Sequence, residues 1–326
     1  ISSTPVEPEG PFQDSAASGV WSLAEAFTYT KAGLWPTAGN VFQRALFFGG
    51  TTGSAVNTID YVNPSSTGDA TDFGDLSTTA LYTSACASST RAVTTLNNNT
   101  NSLNYVTIAS LGNSQDFGDF TGTRGDGSAC SNDTRGVYAG NYNGFFSNVL
   151  EYITIATTGN AIDFGDLPVN GGGSSSCAST TRGIFAGGGG NSLKNNISYI
   201  TIASTGDATD FGDLLAAIEG TASCSNSTRG LIAGGTTGAG VNVIQYITIA
   251  STGNSTDFGD LLSGTNRMAS AARGDTGLFA GGTTGSYTNV IQYVTISTTG
   301  NATDFGDLTL GRGFFSACSN AHGGLA

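Results

Sequence analysis

The segment at residues 70–76 reads ATDFGDL, and its core Asp-Phe-Gly-Asp occurs six times in the 326-residue chain. The first Asp of each copy stands at Asp72, Asp116, Asp163, Asp210, Asp257 and Asp304. Asp-Phe-Gly is also part of the magnesium site of protein kinases. A catalytic element is needed once per site, whereas six evenly spaced copies indicate a repeated structural unit.

Other residues recur in step with the tetrad. A Tyr lies 11 residues before each first Asp: Tyr61, Tyr105, Tyr152, Tyr199, Tyr246 and Tyr293. A Cys or Ala lies 11 residues after each second Asp: Cys86, Cys130, Cys177, Cys224, Ala271 and Cys318. The repeats start near residues 44, 91, 135, 182, 229 and 276, with a period of 47 residues that shortens to 44 in the second copy. Periods of this length with several short β segments are typical of propeller blades.

Four strands are predicted within one repeat. In the copy that starts at Arg229 they are RGLIAGG (229–235), VIQYITIAS (243–251), STDFGDL (255–261) and a strand that ends in ASCSN (222–226). The second is rich in β-branched residues, and the Gly pair that ends the first allows a tight turn. The fold class is therefore predicted to be all-β, a six-bladed β-propeller of four-stranded antiparallel blades.

The repeat resembles the kelch repeat of the galactose-oxidase/kelch class. The double glycines match at Gly49-Gly50, Gly187-Gly188, Gly234-Gly235 and Gly281-Gly282, while the second and third copies depart from the pattern. The Tyr series and the Phe of each tetrad resemble the spaced aromatics of that class, with Phe in place of the usual Trp. Arrays of the YITIASTGNATDFGDL kind are also similar to repeats in structural proteins of tailed bacteriophages, especially cyanophages.

The register predicts how the ring closes. With the Cys strand innermost (A), the Gly-Gly strand is B, the Tyr strand C and the tetrad strand D. The propeller, residues 44–326, then begins with strand B of blade 1 and ends with strand A of the same blade, at 313–320. This is a C-terminal Velcro closure that leaves the ring without an open end.

Composition excludes several classes of function. The net charge is −13, and the six tetrads supply 12 of the 24 acidic residues. Because there is no basic face, we predict no binding to nucleic acid. No apolar run reaches the roughly 18 residues of a membrane span, so we predict no membrane insertion.

The inventory of reactive residues is small. One His, two Lys and five Cys are present, without a His cluster or a Cys-x-x-Cys pair for a metal. We therefore predict no cofactor and no enzymatic activity. The cysteines share one repeat position on separate blades, which predicts small buried residues rather than disulfides.

The tetrad itself has two interpretations. Its glycine can host a bulge that turns Phe73 and Leu76 inward. The aspartates then lie at the edges, where they can bond backbone N–H groups and oppose edge-to-edge aggregation. The alternative is calcium binding, with candidate ligands Asp72, Asp75, Asp116 and Asp119. Calcium prefers 6–8 oxygens and the tetrad is sparse, so the structural role is favoured.

The connections between strands differ in how far they vary. The A–B and C–D links barely change among the six copies, whereas the B–C and D–A links change greatly. Both variable links are expected on the same face of the propeller. Either surface loops have drifted there, or this face makes the principal contact on loops held by a rigid scaffold. The candidate binding-face residues are Tyr142, Phe145, Phe146, Lys194, Tyr287 and Arg124.

Residues 1–43 lie outside the repeat and are predicted to form an arm or linker with a short helix at about 22–32. Ser22 and Glu25 form a capping-box pattern, and Gly33 marks the C-terminal stop. Four apolar residues are candidates for an assembly anchor: Trp21, Leu23, Phe27 and Trp35. The chain opens without Met, so we expect a processed chain or part of a longer one.

These features favour a non-enzymatic virion structural protein of a tailed phage, in a tail fibre, at a tail tip or decorating a capsid. The expected partners are other virion proteins and a host-surface glycan or receptor, with the chain as a homo-oligomer in a symmetric extracellular particle. The alternatives are a cellular surface lectin, an extracellular filament subunit and, less favoured, a galactose-oxidase-type enzyme. The last resemblance implies a copper site with two His, which a chain with one His does not supply.

Overall fold

The computed structural model describes residues 43–96, 100–142 and 145–325, together with Ser22, Ala24, Phe27 and Thr28. The chain divides into two compact units, residues 1–43 and 44–326. In the first unit the described residues at 24, 27 and 28 are helical, and the Thr28 hydroxyl donates to the Ala24 carbonyl at 2.8 Å. The rest of the predicted arm and helix lies outside the described residues. No helix in the described part of the chain is long and apolar enough to cross a membrane.

The second unit consists of six four-stranded antiparallel sheets, which confirms the predicted all-β six-bladed propeller. Blade 1 contains β1 (Ala45–Phe48), β2 (Val56–Val62), β3 (Thr71–Ala80) and β24 (Ser316–Ser319). Blade 2 contains β4 (Ala85–Ala87), β5 (Arg91–Thr95), β6 (Thr100–Thr107) and β7 (Gln115–Arg124). Blade 3 contains β8 (Ser128–Ser131), β9 (Arg135–Tyr142), β10 (Phe146–Thr154) and β11 (Ile162–Asp166).

Blade 4 contains β12 (Ser175–Ala178), β13 (Arg182–Ala186), β14 (Asn196–Thr201) and β15 (Thr209–Asp213). Blade 5 contains β16 (Ala222–Ser225), β17 (Arg229–Ala233), β18 (Val243–Thr248) and β19 (Thr256–Asp260). Blade 6 contains β20 (Ala269–Arg273), β21 (Thr276–Ala280), β22 (Val290–Thr295) and β23 (Thr303–Asp307), and a single 3-10 turn, η1 (Gly323–Leu325), follows β24. In blades 1 and 2 strand D runs on into the predicted D–A link, where Ala80 pairs with Val56 and Arg124 pairs with Thr100.

The ring closes as the register predicts. The last strand, β24, pairs antiparallel with β1, so that Cys318 lies opposite Leu46. Blade 1 therefore takes its innermost strand from the C-terminal end of the chain and its other three strands from the N-terminal end of the propeller. The N-terminal and C-terminal strands of the propeller are thus joined by backbone hydrogen bonds within one sheet.

The tetrad forms the same bulge in every blade. In blade 5, Ile244 lies opposite Gly259 while the next residue, Gln245, lies opposite Asp257, so Phe258 is the extra residue. The bulge turns both apolar residues of the unit inward, and Phe258 and Leu261 are buried. This confirms the predicted bulge and its physical reason, which is that strict alternation would place these two side chains on opposite faces.

The arginine near the start of five repeats ties neighbouring blades together. In blade 4 the Arg182 guanidinium lies 4.6 Å from the centre of the Tyr199 ring, and Tyr199 packs edge-on against Phe211. The same guanidinium donates to the carbonyl of Ile249 in blade 5 at 2.9 Å. Blade 6 has Thr276 at this position, and a different contact joins it to blade 1.

That contact is a buried ion pair. Arg312 follows strand D of blade 6 and lies 3.1 Å from Asp60 on strand C of blade 1, and both side chains are fully buried. Thr309 also donates to Asp60 through its hydroxyl at 2.7 Å. A charge buried without its partner is costly, so the pair favours this one arrangement of the two terminal blades.

Candidate functional site

The B–C and D–A loops lie together on one face, which we call the variable face. Its described loops include residues 49–55, 81–84, 125–127, 167–174, 187–195, 214–221, 234–242, 261–268, 281–289 and 308–315. Backbone hydrogen bonds join the two loops of one blade. The N–H of Ile218 donates to the carbonyl of Lys194 at 2.9 Å, and the N–H of Arg312 donates to that of Thr288 at 3.2 Å.

The opposite face is uniform because its turns hold the blades together. The C–D turn of each blade docks on strand D of the preceding blade. In one example the N–H groups of Gly253 and Ser255 donate to the carbonyls of Phe211 and Asp213 at 2.8 and 2.9 Å. The amide oxygen of Asn254 in turn accepts from the backbone N–H of Asp213 at 3.0 Å. We call this set of contacts the latch. It recurs in all six blades.

The latch of the uniform face requires a particular side chain, the Asn or Asp of the C–D turn, whereas the loops of the variable face are joined to one another mainly through backbone groups, which any sequence supplies. This difference explains physically why one set of links barely changes among the repeats and the other changes greatly. It also gives the tetrad aspartates a role that differs from the expected one. The backbone N–H of the second Asp of each tetrad donates to the side-chain oxygen of an Asn or Asp in the C–D turn of the next blade.

Five of the six predicted binding-face residues fall into three groups. Phe145 is 83% exposed and Tyr287 is 38% exposed, and both lie on B–C loops. Phe146 and Lys194 are half-buried on the same face. The backbone of Tyr142 lies in β9, opposite Phe146, and its side chain lies outside the described residues.

Arg124 does not lie on the exposed binding face, contrary to the prediction. Its side chain is buried and pairs with Glu151 of the next blade, with 2.5 Å between Nη2 and Oε2. A further nitrogen donates to the carbonyl of Gly140 at 2.9 Å. The prediction was wrong because the strand continues to this residue and points its side chain between two blades.

Charge separates the variable face from the rest of the propeller. Five charged residues stand on its described loops, and one of them, Arg312, is fully buried against Asp60. The other four are two acidic and two basic residues: Asp126, Glu219, Lys194 and Arg267. The tetrad aspartates lie instead on the outermost strands, and further acidic residues lie in the turns of the uniform face: Asp69, Asp133, Asp207 and Asp275. The variable face is therefore electrically balanced, while the acidic excess lies elsewhere.

A closed ring of backbone hydrogen bonds encircles the propeller axis at the variable face. Six equivalent residues, each just before strand A of a blade, form it: Tyr82, Asp126, Gly173, Gly220, Arg267 and Phe314. Each N–H donates to the carbonyl of its counterpart in the preceding blade, at 2.7 to 3.4 Å, and the N–H of Tyr82 completes the circle by donating to Phe314. We call these six residues the axial ring.

All six residues of the axial ring have left-handed backbone conformations. Their φ angles range from +55° at Tyr82 and Asp126 to +66° at Gly220. Glycine adopts this conformation freely, and two blades use it. The other four blades carry a side chain there, at a cost of order 1 kcal/mol for each residue in this region.

The four side chains of the axial ring meet one another. Arg267 Nη1 lies 2.5 Å from Asp126 Oδ1, and its Nη2 lies 3.7 Å from Glu219. Tyr82 and Phe314 pack edge to face with their ring centres 4.9 Å apart. The Arg267 guanidinium lies 5.3 Å from the centre of the Phe314 ring, which is cation–π geometry.

Space remains around this cluster. A cavity of about 70 Å³ is lined by the axial ring together with Thr83, Ser174, Thr221, Met268 and Phe315. The ring side chains are half-buried and so reach solvent. We call the cavity and these side chains the axial well.

The environment of the well disfavours a charged Asp126. Burial raises the pKa of Asp126 to about 6, although nearby Arg267 acts in the opposite direction. Burial also raises the pKa of Tyr82, and Asp126 adds to that effect. Perturbed groups that converge in a concave site mark a candidate functional site, and this one lies at the centre of the variable face.

The sequence patterns did not identify the axial ring. Its six positions carry four different side chains and two glycines, so no repeated letter marks them. Alignment of the six repeats would have identified these positions, because they occupy the same place in each repeat and are separated by 44 residues once and by 47 residues thereafter.

The opposite end of the axis is covered by the C-terminal segment. A cavity of about 60 Å³ is lined by Ala, Cys and Ser of the six innermost strands and by His322. His322 Nε2 lies 3.0 Å from the carbonyl of Ala87, and its Nδ1 accepts from the N–H of Gly324 at 3.1 Å. Burial lowers the pKa of His322. The neutral imidazole is therefore the form that fits this cap.

The five cysteines are free and buried on the innermost strands. Burial raises the pKa of Cys86 and of Cys177 to about 12, so these thiols stay protonated at neutral pH. Cys86 also contacts the hydroxyl of Tyr138 at 3.3 Å.

The candidate calcium ligands lie on outer strands. Asp72 and Asp116 are exposed, while Asp75 and Asp119 are partly buried. Among the described residues, no group of three or more His, Cys, Asp or Glu side chains could hold a metal ion. Of the predicted assembly anchor, Phe27 is exposed, and Trp21, Leu23 and Trp35 lie outside the described residues.

Comparison with known proteins supports the fold and no finer assignment. No family model matches the sequence, and no curated protein matches it. Solved structures do match, 561 chains in all. One is YjhT, a kelch-type propeller, with a TM-score of 0.61 and 10% identity over 73% of this chain and 87% of that chain. The chain is therefore a six-bladed β-propeller with a kelch-type structural neighbour.

Proposed function

We propose that this propeller is a non-enzymatic interaction protein whose variable face makes the principal contact. The contrast between the two faces carries the proposal. The uniform face is occupied by the latch, while the variable face is charge-balanced and exposes Phe145 and Tyr287. Contact surfaces are enriched in aromatic residues.

The chemistry of the reactive residues supports a binding role. The five thiols are buried, and His322 is held neutral between backbone groups of the C-terminal cap. These residues are thus used to pack and close the propeller.

We further propose that the chain is a structural protein of a tailed-phage virion, in a tail fibre, at a tail tip or on the capsid. There it acts as a homo-oligomer and contacts a host-surface glycan or receptor, or another virion protein. The repeated segments of the kind YITIASTGDATDFGDL (199–214) and YITIASTGNSTDFGDL (246–261), together with the rigid scaffold, support this role. A cellular surface lectin or an extracellular filament subunit would use the same face, and location separates these alternatives.

Location is tested by immunogold labelling and mass spectrometry of particles from the source of the chain. The proposal expects stoichiometric labelling at a tail or capsid position. Labelling of cell surfaces or filaments without particles would overturn the virion role and leave the contact face intact.

The contact face is tested with the full chain in a surface-binding assay. Phe145→Ser and Tyr287→Ser are expected to reduce binding to the partner surface at least tenfold. The matched control is Leu111→Ser, since Leu111 is also exposed but lies in a C–D turn of the uniform face. Loss of binding in the control alone would contradict the assignment of the faces.

A further inference from the structure

Four residues of the axial ring carry side chains that the ring of backbone hydrogen bonds does not require. The ring of backbone hydrogen bonds closes equally well at Gly173 and Gly220, where no side chain exists. At the four other positions Tyr, Asp, Arg and Phe adopt a conformation that disfavours them. Residues held in this way cluster where a molecule binds ligand.

Part of the hydrogen-bonding capacity of these side chains is unused. Among the described residues, the bonds of the well engage Asp126 Oδ1 and Arg267 Nη1, at 2.5 Å. No bond within the described part of the chain engages the Tyr82 hydroxyl, Asp126 Oδ2 or Arg267 Nε. Since these side chains reach solvent, their free donors and acceptors are available to a ligand.

The charges of the well exclude ionic ligands. Arg267 stands between two carboxylates, Asp126 and Glu219, so the cluster carries a net negative charge when all three are ionised. An anion would be repelled by both carboxylates. A cation would compete with Arg267, which already occupies the position between them and lies over the Phe314 ring.

A neutral ligand with several hydroxyl groups fits the remaining requirements. Charged side chains make the stronger hydrogen bonds to neutral partners, and hydroxyls both donate to a carboxylate and accept from a guanidinium. The edge-to-face pair of Tyr82 and Phe314 supplies an apolar wall for C–H groups. Sugars combine these two surfaces in one small ring.

We propose that the axial well binds the terminal residue of a neutral saccharide. This inference deepens the proposed function and rests on it, because it names the ligand class of the variable face. Asp126 and Arg267 would hold the sugar hydroxyls, and the two aromatic residues would contact its C–H face. The surrounding loops would contact the next residues of the chain.

The full chain is tested on an array of neutral oligosaccharides that end in a hexose, a deoxyhexose or an N-acetylhexosamine. Sialylated and sulfated oligosaccharides serve as the charged comparison. We expect binding to a subset of the neutral probes and none to the charged ones. Binding confined to the charged probes, or to no probe, would overturn the proposal.

The site is assigned with variants measured by calorimetry on the best neutral probe. Asp126→Asn and Phe314→Leu are expected to weaken binding at least tenfold, and Tyr82→Phe, which removes only a hydroxyl, about threefold. Asp72→Asn is the matched control, since Asp72 is exposed on an outer strand, and its affinity should be unchanged. Equal affinity in Asp126→Asn, Phe314→Leu and the native chain would place the sugar elsewhere.

The two proposals fail separately. If Phe145→Ser abolishes partner binding while no neutral saccharide binds, the contact face stands and the saccharide site falls. If a neutral saccharide binds the well while the loop variants keep full partner binding, the well stands and the proposed contact face falls.

Discussion

At the scale of single residues, cysteine and glycine fit one another across the blades. The sulfur of Cys177 lies against Gly230 of the next blade, where a Cβ would collide with it. The same pairing joins Cys86 to Gly136, Cys130 to Gly183 and Cys224 to Gly277, whereas the fifth cysteine, Cys318, shares a core cluster with Ala92, which stands at the equivalent position of the next blade. Where the cysteine is replaced by Ala271, the facing residue is Ala45, and the two share one core cluster. The cysteines therefore act by volume.

This fit predicts the effect of restoring a cysteine at the sixth position. Ala271→Cys is expected to destabilise the propeller by about 1–3 kcal/mol, because a well-packed site is overfilled. Adding Ala45→Gly should recover part of the loss, with a coupling of at least about 0.5 kcal/mol. Denaturant unfolding of the two single variants and the double variant measures it. Additive effects would show that the two residues do not pack together.

The buried charges follow a similar rule. In two blades the residue directly before the strand-C Tyr is acidic, and an Arg of the neighbouring blade pairs with it. The pairs are Asp60 with Arg312 and Glu151 with Arg124. Gln292 takes that position in blade 6, and Thr265 stands one repeat before Arg312 at the equivalent position. The side-chain oxygen of Gln292 accepts from the N–H of Leu262 at 2.8 Å.

Removal of one charge should cost more than replacement of both. Arg312→Thr leaves Asp60 buried without its partner and is expected to destabilise the fold by about 3–5 kcal/mol. Asp60→Gln combined with Arg312→Thr copies the neutral pair of the neighbouring interface and should be milder. Chemical denaturation compares the two. A double variant less stable than Arg312→Thr would contradict this account.

At the scale of elements, the latch resolves the problem of open sheet edges. Strand D is the outermost strand of each blade, and its unpaired backbone groups could pair with another chain. The C–D turn of the next blade covers Phe211 and Asp213 of blade 4 in this way. The tetrad glycine is required here, because a Cβ at Gly212 would collide with the carbonyl of Gly253 and its φ is +149°.

Two substitutions distinguish how much the side-chain hydrogen bond and the glycine of the latch each contribute to stability. Asn254→Ala removes one hydrogen bond and is expected to cost about 1 kcal/mol. Gly212→Ala also forces the turn away from the strand, at about 1–3 kcal/mol for the crowding alone, and exposes an edge. Thermal unfolding and light scattering measure both effects, with Ser77→Ala as an exposed control on strand D. Equal stability of the two variants would contradict the docking role of the glycine.

The strands and turns also show which features of the fold the repeat pattern predicts and which it does not. Six tetrads at a fixed period predict the number of blades, the order of strands and the closure through β24, because each depends on counting and on register. The pattern did not predict that the Asn of the C–D turn bonds the preceding blade, since periodicity does not distinguish contacts within one repeat from contacts between repeats. Arg124 was misplaced for a related reason, because strand D is longer in blade 2.

At the scale of the whole molecule, the two ends of the axis differ. One end is closed by the axial ring with its four strained side chains, and the other by the C-terminal cap with His322. The axial ring could not be predicted because its side chains differ from blade to blade. Variation among repeats is, however, what an asymmetric ligand site requires.

The cap predicts sensitivity to acid. Because the folded-state pKa of His322 is lowered from 6.5, the neutral side chain contributes stability above that pH, which is lost as the pH falls. Asp126 affects the free energy of unfolding in the opposite direction. Because its pKa is raised from 3.8 to about 6, the protonated side chain contributes stability at low pH, and this contribution is lost as the pH rises through 6. His322→Gln should therefore reduce the loss of stability between pH 7 and pH 5 relative to the native chain. An unchanged pH profile in denaturant unfolding would contradict the role of the cap.

The central claim is that the variable face, with the axial well at its centre, is the surface through which the propeller binds. Hydrogen–deuterium exchange on the full chain, free and bound to its particle or host surface, tests it most directly. The account predicts new protection in the B–C and D–A loops, including residues 281–289 and 308–315, and no change in the C–D turns. Protection confined to the C–D and A–B turns would show that the uniform face makes the contact, and the account would be wrong.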